Sequence, residues 1–492
     1  MQKIKISDVL IAFGLSVFAF VFLFMVSTVI DPNASMDAAY YHVMADQLEQ
    51  GRGFVEPIVW QHLNKYHELM HPMDYWMPLG IVGYYLSRTL FGPSREVFLN
   101  IFLWTVLVTT LFFDIRSRVS NQYYALFGYL ILLFCGRNLF YLLTTDNMAI
   151  YAFLGYFYVR FLCSEKIKPF RCGIFAGLLA LTRIEGIIFA FLGGCWILLK
   201  NRSLRCAFKY ALVFFLVLSP WMWRNYHAVG KIWTSNSSAI FIQEYEEIFS
   251  HEFKGDLAHL LELGTATLLK QRLLGLWNSF LNLVAVPGMF LLYPFWILGI
   301  GSEWKREGAI FSAFLTAFWL LCGVLFTHQA IKGTSMHISA FFYPHYAMFA
   351  AVGFFRLTEN RKFKRSFNVF LAFTVIVWAI AFSMLSVKKL NEGYLNDNRP
   401  YQKLFASYRF PENARIVSVY PVYIYFLAGI PGAVYSPLDK GGALAVADKY
   451  NCNFILLDSR TRQGILPCEP DWAVVASDTY LTLFKRIRAT EK

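Results

Sequence analysis

The run DVLIAFGLSVFAFVFLFMVSTVI, residues 8–30, decides the fold class of this chain. It follows a basic end with Lys3 and Lys5 and holds about 22 apolar residues, enough for a helix to cross the hydrocarbon core of a membrane. A secretory signal peptide has a shorter apolar core and ends at small residues, whereas this run is followed by Asp31 and Pro32. We therefore predict a retained first transmembrane helix with a cytoplasmic N-terminus.

The whole chain has the composition of a polytopic membrane protein. Of its 492 residues, 57% are hydrophobic and only 16% are charged, which lies outside the usual range of soluble proteins. The net charge of +13 would suggest a nucleic-acid partner for a soluble protein. In membrane proteins, however, basic residues gather in cytoplasmic loops, and the sequence contains no motif for binding RNA or DNA. We therefore predict membrane lipids, and no nucleic acid, as partners.

Apolar segments and the basic clusters between them predict the topology. The segments are 8–30, 76–91, 97–113, 122–142, 147–162, 173–183, 186–199, 207–223, 273–300, 309–327, 339–356 and 366–386. The clusters are Arg116/Arg118, Lys166/Lys168/Arg171, Lys200/Arg202/Arg205/Lys209, Lys305/Arg306 and Arg361/Lys362/Lys364/Arg365. Every cluster lies in the cytoplasm, as the positive-inside rule requires, if the short segment 76–91 enters the membrane only in part. We therefore predict an α-helical polytopic protein with about eleven transmembrane helices and one partial segment.

The chain changes character after residue 388. We predict a membrane domain over 1–388, with a catalytic loop at 31–96, and a small extracytoplasmic α/β domain over 389–492. The predicted strands are 415–420, 432–436 and 453–458, the helices are 423–429 and 443–450, and a hairpin closes at Asp478 within 472–487. An amphipathic helix on the membrane surface is predicted at 256–275. Cys452 and Cys468 lie in the tail, where an extracytoplasmic location would permit a disulfide.

The first loop begins with a helical pattern, Met36-Asp37-Ala-Ala-Tyr40-Tyr41. Helical spacing puts both tyrosines near an apolar face, and Gly51 would end the helix. We interpret this segment as a helix lying along the membrane with the Asp37 carboxylate at its start. The structural alternative is that Asp37 is only the N-cap of the helix, and the same alternative holds for Asp146.

The predicted topology brings several charged residues to one face at the level of the membrane surface. They are Asp37, Asp74, Asp146, Arg183 and Arg224. Charged groups at that depth are costly and tend to mark a functional site. The structural alternatives are a charge at a loop end for Arg183 and an interfacial anchor beside tryptophans for Arg224.

An ordered set of motifs resembles the GT-C superfamily of multi-spanning glycosyltransferases, which includes protein O-mannosyltransferases and lipid A aminoarabinose transferases. The motifs are Asp37 with Tyr40/Tyr41, Ala45, Leu48 and Gly51, then Pro72 to Gly92, Asp146, Leu181-Thr182-Arg183-Ile184-Glu185-Gly186, Pro220-Trp221-Met-Trp-Arg224-Asn225-Tyr226 with Gly230, and Tyr343-Pro344. Three positions depart from the common pattern: Ala38 follows Asp37 where several members have Glu, Ile184 replaces a proline, and His337 stands where many relatives carry Arg.

The resemblance implies transfer of a sugar from a polyprenyl-phosphate donor to an acceptor lipid, protein or glycan on the extracytoplasmic face of the inner (plasma) membrane. Asp37 would be the general base for an inverting attack by the acceptor hydroxyl or amine. Arg183 and Arg224 would bind the donor phosphate. Tyr40, Tyr41, Asp146, Glu185 and His337 are the predicted substrate-binding residues.

A divalent metal ion is the one cofactor that we predict, with Asp74, His71 and Asp146 as its ligands. Such an ion would neutralise phosphate charge. The structural alternative for Asp74 and His71 is an ordinary polar loop before the partial segment.

Two other functions fit the same composition. A lipid-linked sugar transporter or flippase would need charged groups through the centre of the membrane, whereas the predicted crossings are nearly free of them. A cell-envelope assembly protein would act through its C-terminal domain, so that Asp37 would be dispensable.

Overall fold

A computed structural model describes residues 6–119, 121–233, 240–330, 334–360, 364–439, 441–461 and 471–487. The chain forms two compact units. The first consists of Met1–Pro32, Met77–Arg224 and Arg272–Asn391, and the second of Asn33–Trp76, Asn225–Gln271 and Glu392–Lys492. The second unit therefore combines the predicted tail domain with two segments from earlier in the chain.

Helices dominate the described residues. In chain order they are α1 (Ile6–Ser27), α2 (Met36–Glu49), α3 (Leu79–Phe91), α4 (Val97–Arg118), α5 (Gln122–Leu133), α6 (Asn138–Leu142), α7 (Met148–Leu162), α8 (Pro169–Thr182), α9 (Gly186–Asn201), α10 (Leu204–Val229), α11 (Leu257–Glu262), α12 (Thr265–Ala285), α13 (Tyr293–Ser302), α14 (Ala309–Leu320), α15 (Thr334–Ser339), α16 (Tyr343–Asn360), α17 (Arg365–Ser407), α18 (Pro421–Ala428) and α19 (Gly442–Lys449). Six helical segments of the described chain, α1 among them, are long and apolar enough to cross a membrane. The chain is a multi-pass membrane protein, as its composition predicts.

Three predicted continuous helices are interrupted. Segment 122–142 breaks between α5 and α6, where Gly136 has φ +66° and donates its N–H to the Ser383 hydroxyl at 2.8 Å. The predicted helix 256–275 is also wrong, because Gly264, at φ +73°, separates α11 from α12. Segment 273–300 divides where Met289 and Phe290 adopt positive φ. A positive φ does not fit a right-handed helix, and only glycine adopts it without strain.

Ion pairs connect regions of the first unit that the basic clusters predict to be cytoplasmic. Arg116 lies 3.1 Å from Asp8, near the start of α1. Arg118 lies 2.8 Å from Glu303 and 2.6 Å from Glu307, on either side of the Lys305/Arg306 cluster. These contacts join three regions that the basic clusters predict to lie on one side of the membrane, and the topology itself stays a prediction.

The helices α13 and α16 approach closely through glycines. A Cβ atom on Gly299 would lie 1.9 Å from the carbonyl oxygen of Phe349, and one on Gly353 would lie 1.8 Å from that of Phe295. Small residues let helix backbones meet in a membrane, where packing rather than the hydrophobic effect drives association. The absence of a side chain at both positions therefore sets the distance between these helices.

Substituting Gly353→Ala will destabilise the first unit by about 1–3 kcal/mol, because the added methyl group forces the two backbones apart. The midpoint of thermal unfolding in detergent measures the loss. Gly301→Ala, on the same helix as Gly299, is the matched control, since a Cβ there meets nothing within 4 Å. Equal stability of the two variants would contradict this account of the packing.

A six-stranded sheet forms the centre of the second unit. The strands of this unit are β1 (Val55–Glu56), β2 (Ile58–Val59), β3 (His71–Pro72), β4 (Ile416–Val417), β5 (Gly432–Ala433), β6 (Phe454–Asp458), β7 (Trp472–Ser477) and β8 (Leu481–Arg486). The sheet has the order β2-β5-β4-β6-β8-β7, and β1 pairs separately with β3.

Each predicted element of the tail is present, but the strands predicted at 415–420 and 432–436 are only two residues long. The hairpin at Asp478 is confirmed, and the Asp478 carboxylate accepts the N–H groups of Tyr480 and Leu481 at 2.8 and 2.7 Å. Strand β2 was not predicted, and it pairs in parallel with β5 through Ile58 and Gly432. The first loop is therefore part of this sheet. Cys452 is buried, and Cys468 lies outside the described residues, so the predicted disulfide is not tested.

His62 is buried beside the new edge of this sheet. Its Nε2 lies 2.8 Å from the carbonyl oxygen of Val434, so Nε2 carries the proton. Its ring stacks on Tyr450, with 6.0 Å between centroids. Burial lowers the pKa of His62 to about 4, so this side chain is neutral near pH 7.

Because the pKa of His62 is lower in the folded than in the unfolded chain, stability will be lost as the pH falls from about 6.5 towards about 4. We expect the second unit to lose about 2 kcal/mol between pH 7 and pH 5 from this group. Denaturant unfolding followed by tryptophan fluorescence at the two pH values measures it. The His62→Gln variant should lack that part of the pH dependence, and an unchanged pH dependence would contradict the assignment.

Candidate functional site

Asp37 lies in the first turn of α2 and is not its N-cap. The cap is Ser35, whose hydroxyl oxygen accepts the N–H of Ala38 at 3.2 Å. The alternative that Asp37 only caps the helix is therefore wrong. The Asp37 side chain is partly buried, and a carboxylate in the first turn of a helix interacts favourably with the helix dipole.

Protein covers most of α2. Its residues from Ala38 to Ala45 are buried. It packs on α18 in two places. The Gln47 amide donates to the Tyr425 hydroxyl at 3.2 Å, and the ring centroids of His42 and Phe426 lie 5.1 Å apart. The predicted apolar face thus rests on the second unit itself.

Tyr245 is a neighbour of Asp37 that the sequence analysis missed. Partial burial of its ring and the negative charge of Asp37 raise the pKa of Tyr245. Its hydroxyl is therefore neutral and able to donate a hydrogen bond beside the carboxylate. Tyr245 lies outside any motif of the first loop, so nothing in the sequence pattern connects it with Asp37.

The predicted substrate residues Tyr40 and Tyr41 are buried, at 2% and 1% exposure. Tyr40 donates to the Glu56 carboxylate at 2.5 Å, and burial together with Glu56 raises the pKa of Tyr40. Partly exposed aromatic rings lie beside them. The ring centroid of Trp60 lies 4.6 Å from that of Tyr75 and 5.6 Å from that of Trp76. Within this loop these rings, rather than the two tyrosines, are accessible to a ligand.

The predicted metal ligands His71 and Asp74 hold the loop together. Asp74 accepts hydrogen bonds from the Tyr66 hydroxyl and, at 2.7 Å, from Asn64. The ring of His71 stacks on Tyr66 with 3.4 Å between centroids, and its Nε2 lies 3.1 Å from the carbonyl oxygen of Ile58. Burial lowers the pKa of His71. Metal binding by these two residues stays a prediction.

In the first unit, Asp146 forms a pair with His337. The Nδ1 atom of His337 lies 3.2 Å from Asp146 Oδ1, and the same oxygen accepts the N–H of Met148 at the start of α7. The other carboxylate oxygen, Oδ2, is buried without a hydrogen-bond partner in the described chain. A carboxylate and an imidazole so placed are a donor pair that suits several divalent metal ions.

The turn that carries Asp146 is fixed by two side chains that the sequence analysis missed. Asn100, fully buried on α4, donates to the carbonyl oxygens of Thr144 at 2.8 Å and Asp146 at 3.3 Å. Tyr84 on α3 donates to the same Asp146 oxygen. The sequence does mark Asn100 as unusual, because it is a polar residue within an apolar helix. A polar side chain that is buried in such a helix needs a hydrogen-bond partner.

Arg183 and Glu185 form a buried ion pair of 3.1 Å between α8 and α9. Asn147 reaches the same turn and donates to the carbonyl oxygen of Thr182 at 3.1 Å. Asp146 and Arg183 are therefore on neighbouring turns of one unit. The Tyr151 hydroxyl, one helical turn beyond Asn147, is fully buried with no hydrogen-bond partner among the residues described.

Arg224, at the end of the first unit, lies over the ring of Trp221, with 4.9 Å from the guanidinium carbon to the centroid. Such a cation–π contact fits the alternative of an interfacial anchor. Phosphate binding by Arg183 and Arg224 stays a prediction.

Substituting Asn100→Ala will loosen the Asp146 turn at a cost of about 1–3 kcal/mol, because the buried carbonyl oxygen of Thr144 loses its donor and that of Asp146 keeps only Tyr84. Hydrogen exchange of the amides in 143–148 should become faster. Thr110→Ala on the same helix is the control, since Thr110 donates only within α4, to Val106. Unchanged exchange in Asn100→Ala would show that this side chain does not hold the turn.

Solved structures similar to this chain are known. ArnT from Cupriavidus metallidurans bound to undecaprenyl phosphate matches with a TM-score of 0.60 at 13% identity, over 97% of each chain. The apo state of that protein matches with a TM-score of 0.59 at 12% identity, over 96% of this chain and 98% of that one. The arabinofuranosyltransferase AftD from Mycobacteria has a TM-score of 0.49 at 11% identity and is covered over 40% of its length.

No protein-family model matches the sequence, and no curated protein matches it. The likeness to ArnT at this identity is a likeness of fold. It confirms the fold that the resemblance to GT-C transferases predicts: a helical membrane protein with a small α/β region formed largely by its C-terminal part.

Proposed function

We propose that this chain, which has the fold of ArnT, is a membrane glycosyltransferase. It moves a sugar from a polyprenyl-phosphate donor to an acceptor hydroxyl or amine on the extracytoplasmic face and inverts the anomeric configuration. The observation that carries the proposal is the match over 97% of both chains with a protein solved bound to undecaprenyl phosphate. The buried charged residues of the first unit support it, because an apolar protein retains such groups where they have a function.

In this proposal the donor lipid lies in the membrane, and its sugar phosphate lies at the interface. Arg183 and Arg224 bind the phosphate, and positive charge there stabilises the leaving group, which needs little protonation. Glu185 orients Arg183 through their ion pair. The hydrogen bonds from Asn100 and Tyr84 keep Asp146 in place beside this pair of turns.

Asp37 is the proposed general base. Its carboxylate takes the proton of the acceptor group while the acceptor atom bonds to the anomeric carbon, on the side opposite the phosphate. The bond from that carbon to the phosphate oxygen breaks, and polyprenyl phosphate leaves with the electron pair. Because Ser35 caps the N-terminus of α2, the Asp37 carboxylate is not needed as the N-cap of this helix.

Asp146 and His337 are the residues that would hold a divalent metal ion in the first unit, through a carboxylate oxygen and an imidazole nitrogen. Such an ion, when bound, neutralises phosphate charge. This assignment replaces His71 and Asp74, whose polar atoms hold the first loop, with His337 as a partner of Asp146.

Substituting Asp37→Asn will lower kcat by about 100-fold or more, because removal of a general base costs roughly that factor. The donor is first identified as the lipid-linked sugar that accumulates when the protein is absent. Release of polyprenyl phosphate from that donor in proteoliposomes is then measured.

Asp46→Asn is the matched control, since Asp46 lies on the same helix beside His42 at 3.6 Å, and it should keep near wild-type activity. A correctly inserted Asp37→Asn protein that transfers sugar at the wild-type rate would rule out the base assignment. Movement of the lipid-linked sugar across the bilayer without transfer would instead identify a transporter.

A further inference from the structure

Arg137 is an exposed cation at the break between α5 and α6 in the first unit. It lies at the outer end of the predicted segment 122–142, where a charged side chain is costly unless it has a function or reaches the interface. Within the described part of the chain Arg137 forms no ion pair, and its side-chain contacts are with Tyr141.

A chain of contacts connects Arg137 with Asp146. The guanidinium carbon lies 5.9 Å from the centroid of the Tyr141 ring, and one guanidinium nitrogen lies 3.3 Å from the Tyr141 hydroxyl. The Tyr141 ring lies 6.3 Å from the ring of His337. His337 in turn contacts Asp146 at 3.2 Å. Arg137 thus stands at the exposed end of the group that holds the Asp146 carboxylate.

The balance of charge in this part of the unit favours an anion beside Arg137. Arg183 is already neutralised by Glu185, and the carboxylate of Asp146 faces the imidazole of His337. A phosphate bound only by these two pairs would meet little uncompensated positive charge. Arg137 supplies a full positive charge and five N–H donors in the planar geometry that suits phosphate.

Asn138, the next residue, provides an independent indication. Its side chain is fully buried, and both its amide nitrogen and its amide oxygen are without a hydrogen-bond partner among the described residues. A buried amide that is unsatisfied on both atoms costs free energy and calls for an explanation. A ligand oxygen bound beside Arg137 would satisfy the amide donor.

We propose that Arg137 and Asn138 bind the phosphate group of the lipid-linked donor. This inference rests on the proposed function and adds a further cation to the proposed phosphate-binding residues Arg183 and Arg224. Arg137 meets the phosphate from the exposed side, and its contact with Tyr141 holds the guanidinium in place. The ligand is recognised by its phosphate monoester or diester, and its polyprenyl chain lies in the membrane.

The test is a titration of the full-length protein in detergent with undecaprenyl phosphate, read by native mass spectrometry. We expect Arg137→Ala to weaken binding by about tenfold or more, because a charge-assisted contact to phosphate is lost. Arg137→Lys should retain part of the affinity. A polyprenol that lacks phosphate should bind the wild type and Arg137→Ala equally.

Arg95→Ala is the matched control, and its affinity should stay within about twofold of the wild type. Arg95 is also exposed and stands just before α4, with its guanidinium carbon 5.3 Å from the Phe98 ring. A second variant, Asn138→Leu, removes the amide but keeps the volume of the side chain. Weaker binding by this variant supports the proposal, whereas higher stability with unchanged binding shows an amide without a role in binding.

Three results would decide against the inference or its premise. If the wild type binds no undecaprenyl phosphate, the proposed function itself fails. If the wild type binds it and Arg137→Ala binds equally well, only the role of Arg137 fails. If Arg137→Ala weakens binding of phosphatidylglycerol by the same factor, Arg137 is a contact for bulk anionic lipid and the inference is overturned. Displacement of the lipid by inorganic phosphate from the wild type would support recognition of the phosphate group.

Discussion

Compensation of buried charge is the constraint on which the first unit depends. A charged side chain taken out of water loses several kcal/mol of hydration unless an opposite charge or hydrogen bonds replace it. At one end of this unit Arg118 meets Glu303 and Glu307, and at the Asp146 turn the carboxylate meets His337. Each pair joins segments that are distant in the sequence, so each pair favours the arrangement in which these segments meet.

The same constraint indicates that the polar residues of the Asp146 turn form a binding site. Asn100 and Tyr84 donate hydrogen bonds to backbone carbonyl oxygens. These bonds fix the turn without neutralising the Asp146 carboxylate. Asp146 Oδ2, the Tyr151 hydroxyl and Glu185 Oε2 are buried and have no hydrogen-bond partner in the described chain. A turn that is rigid but incompletely satisfied is what a binding site for a polar ligand requires, because the ligand then replaces the missing partners.

The second unit fixes the position of Asp37. Helix α2 is buried against α18, and the loop that follows contributes strand β2 to the sheet. The Tyr66–Asp74 hydrogen bond and the stacking of His71 on Tyr66 hold the rest of the loop. A carboxylate on a loop of this length would otherwise be mobile, and positioning within a fraction of an ångström is what general base catalysis needs.

The sequence by itself determined the membrane class, the helical content and the elements of the C-terminal tail, because apolar runs and short strands express local patterns. It also indicated Asp37, Asp146 and Arg183 as charged residues in apolar surroundings. Only the tertiary structure decided where helices break and which polar groups meet. The break at Gly136 depends on Ser383, 247 residues away, and His337 pairs with Asp146 across 191 residues. Strand β2 spans two residues, too short for any alternation. Such features depend on partners that chain folding brings together, and no local pattern records them.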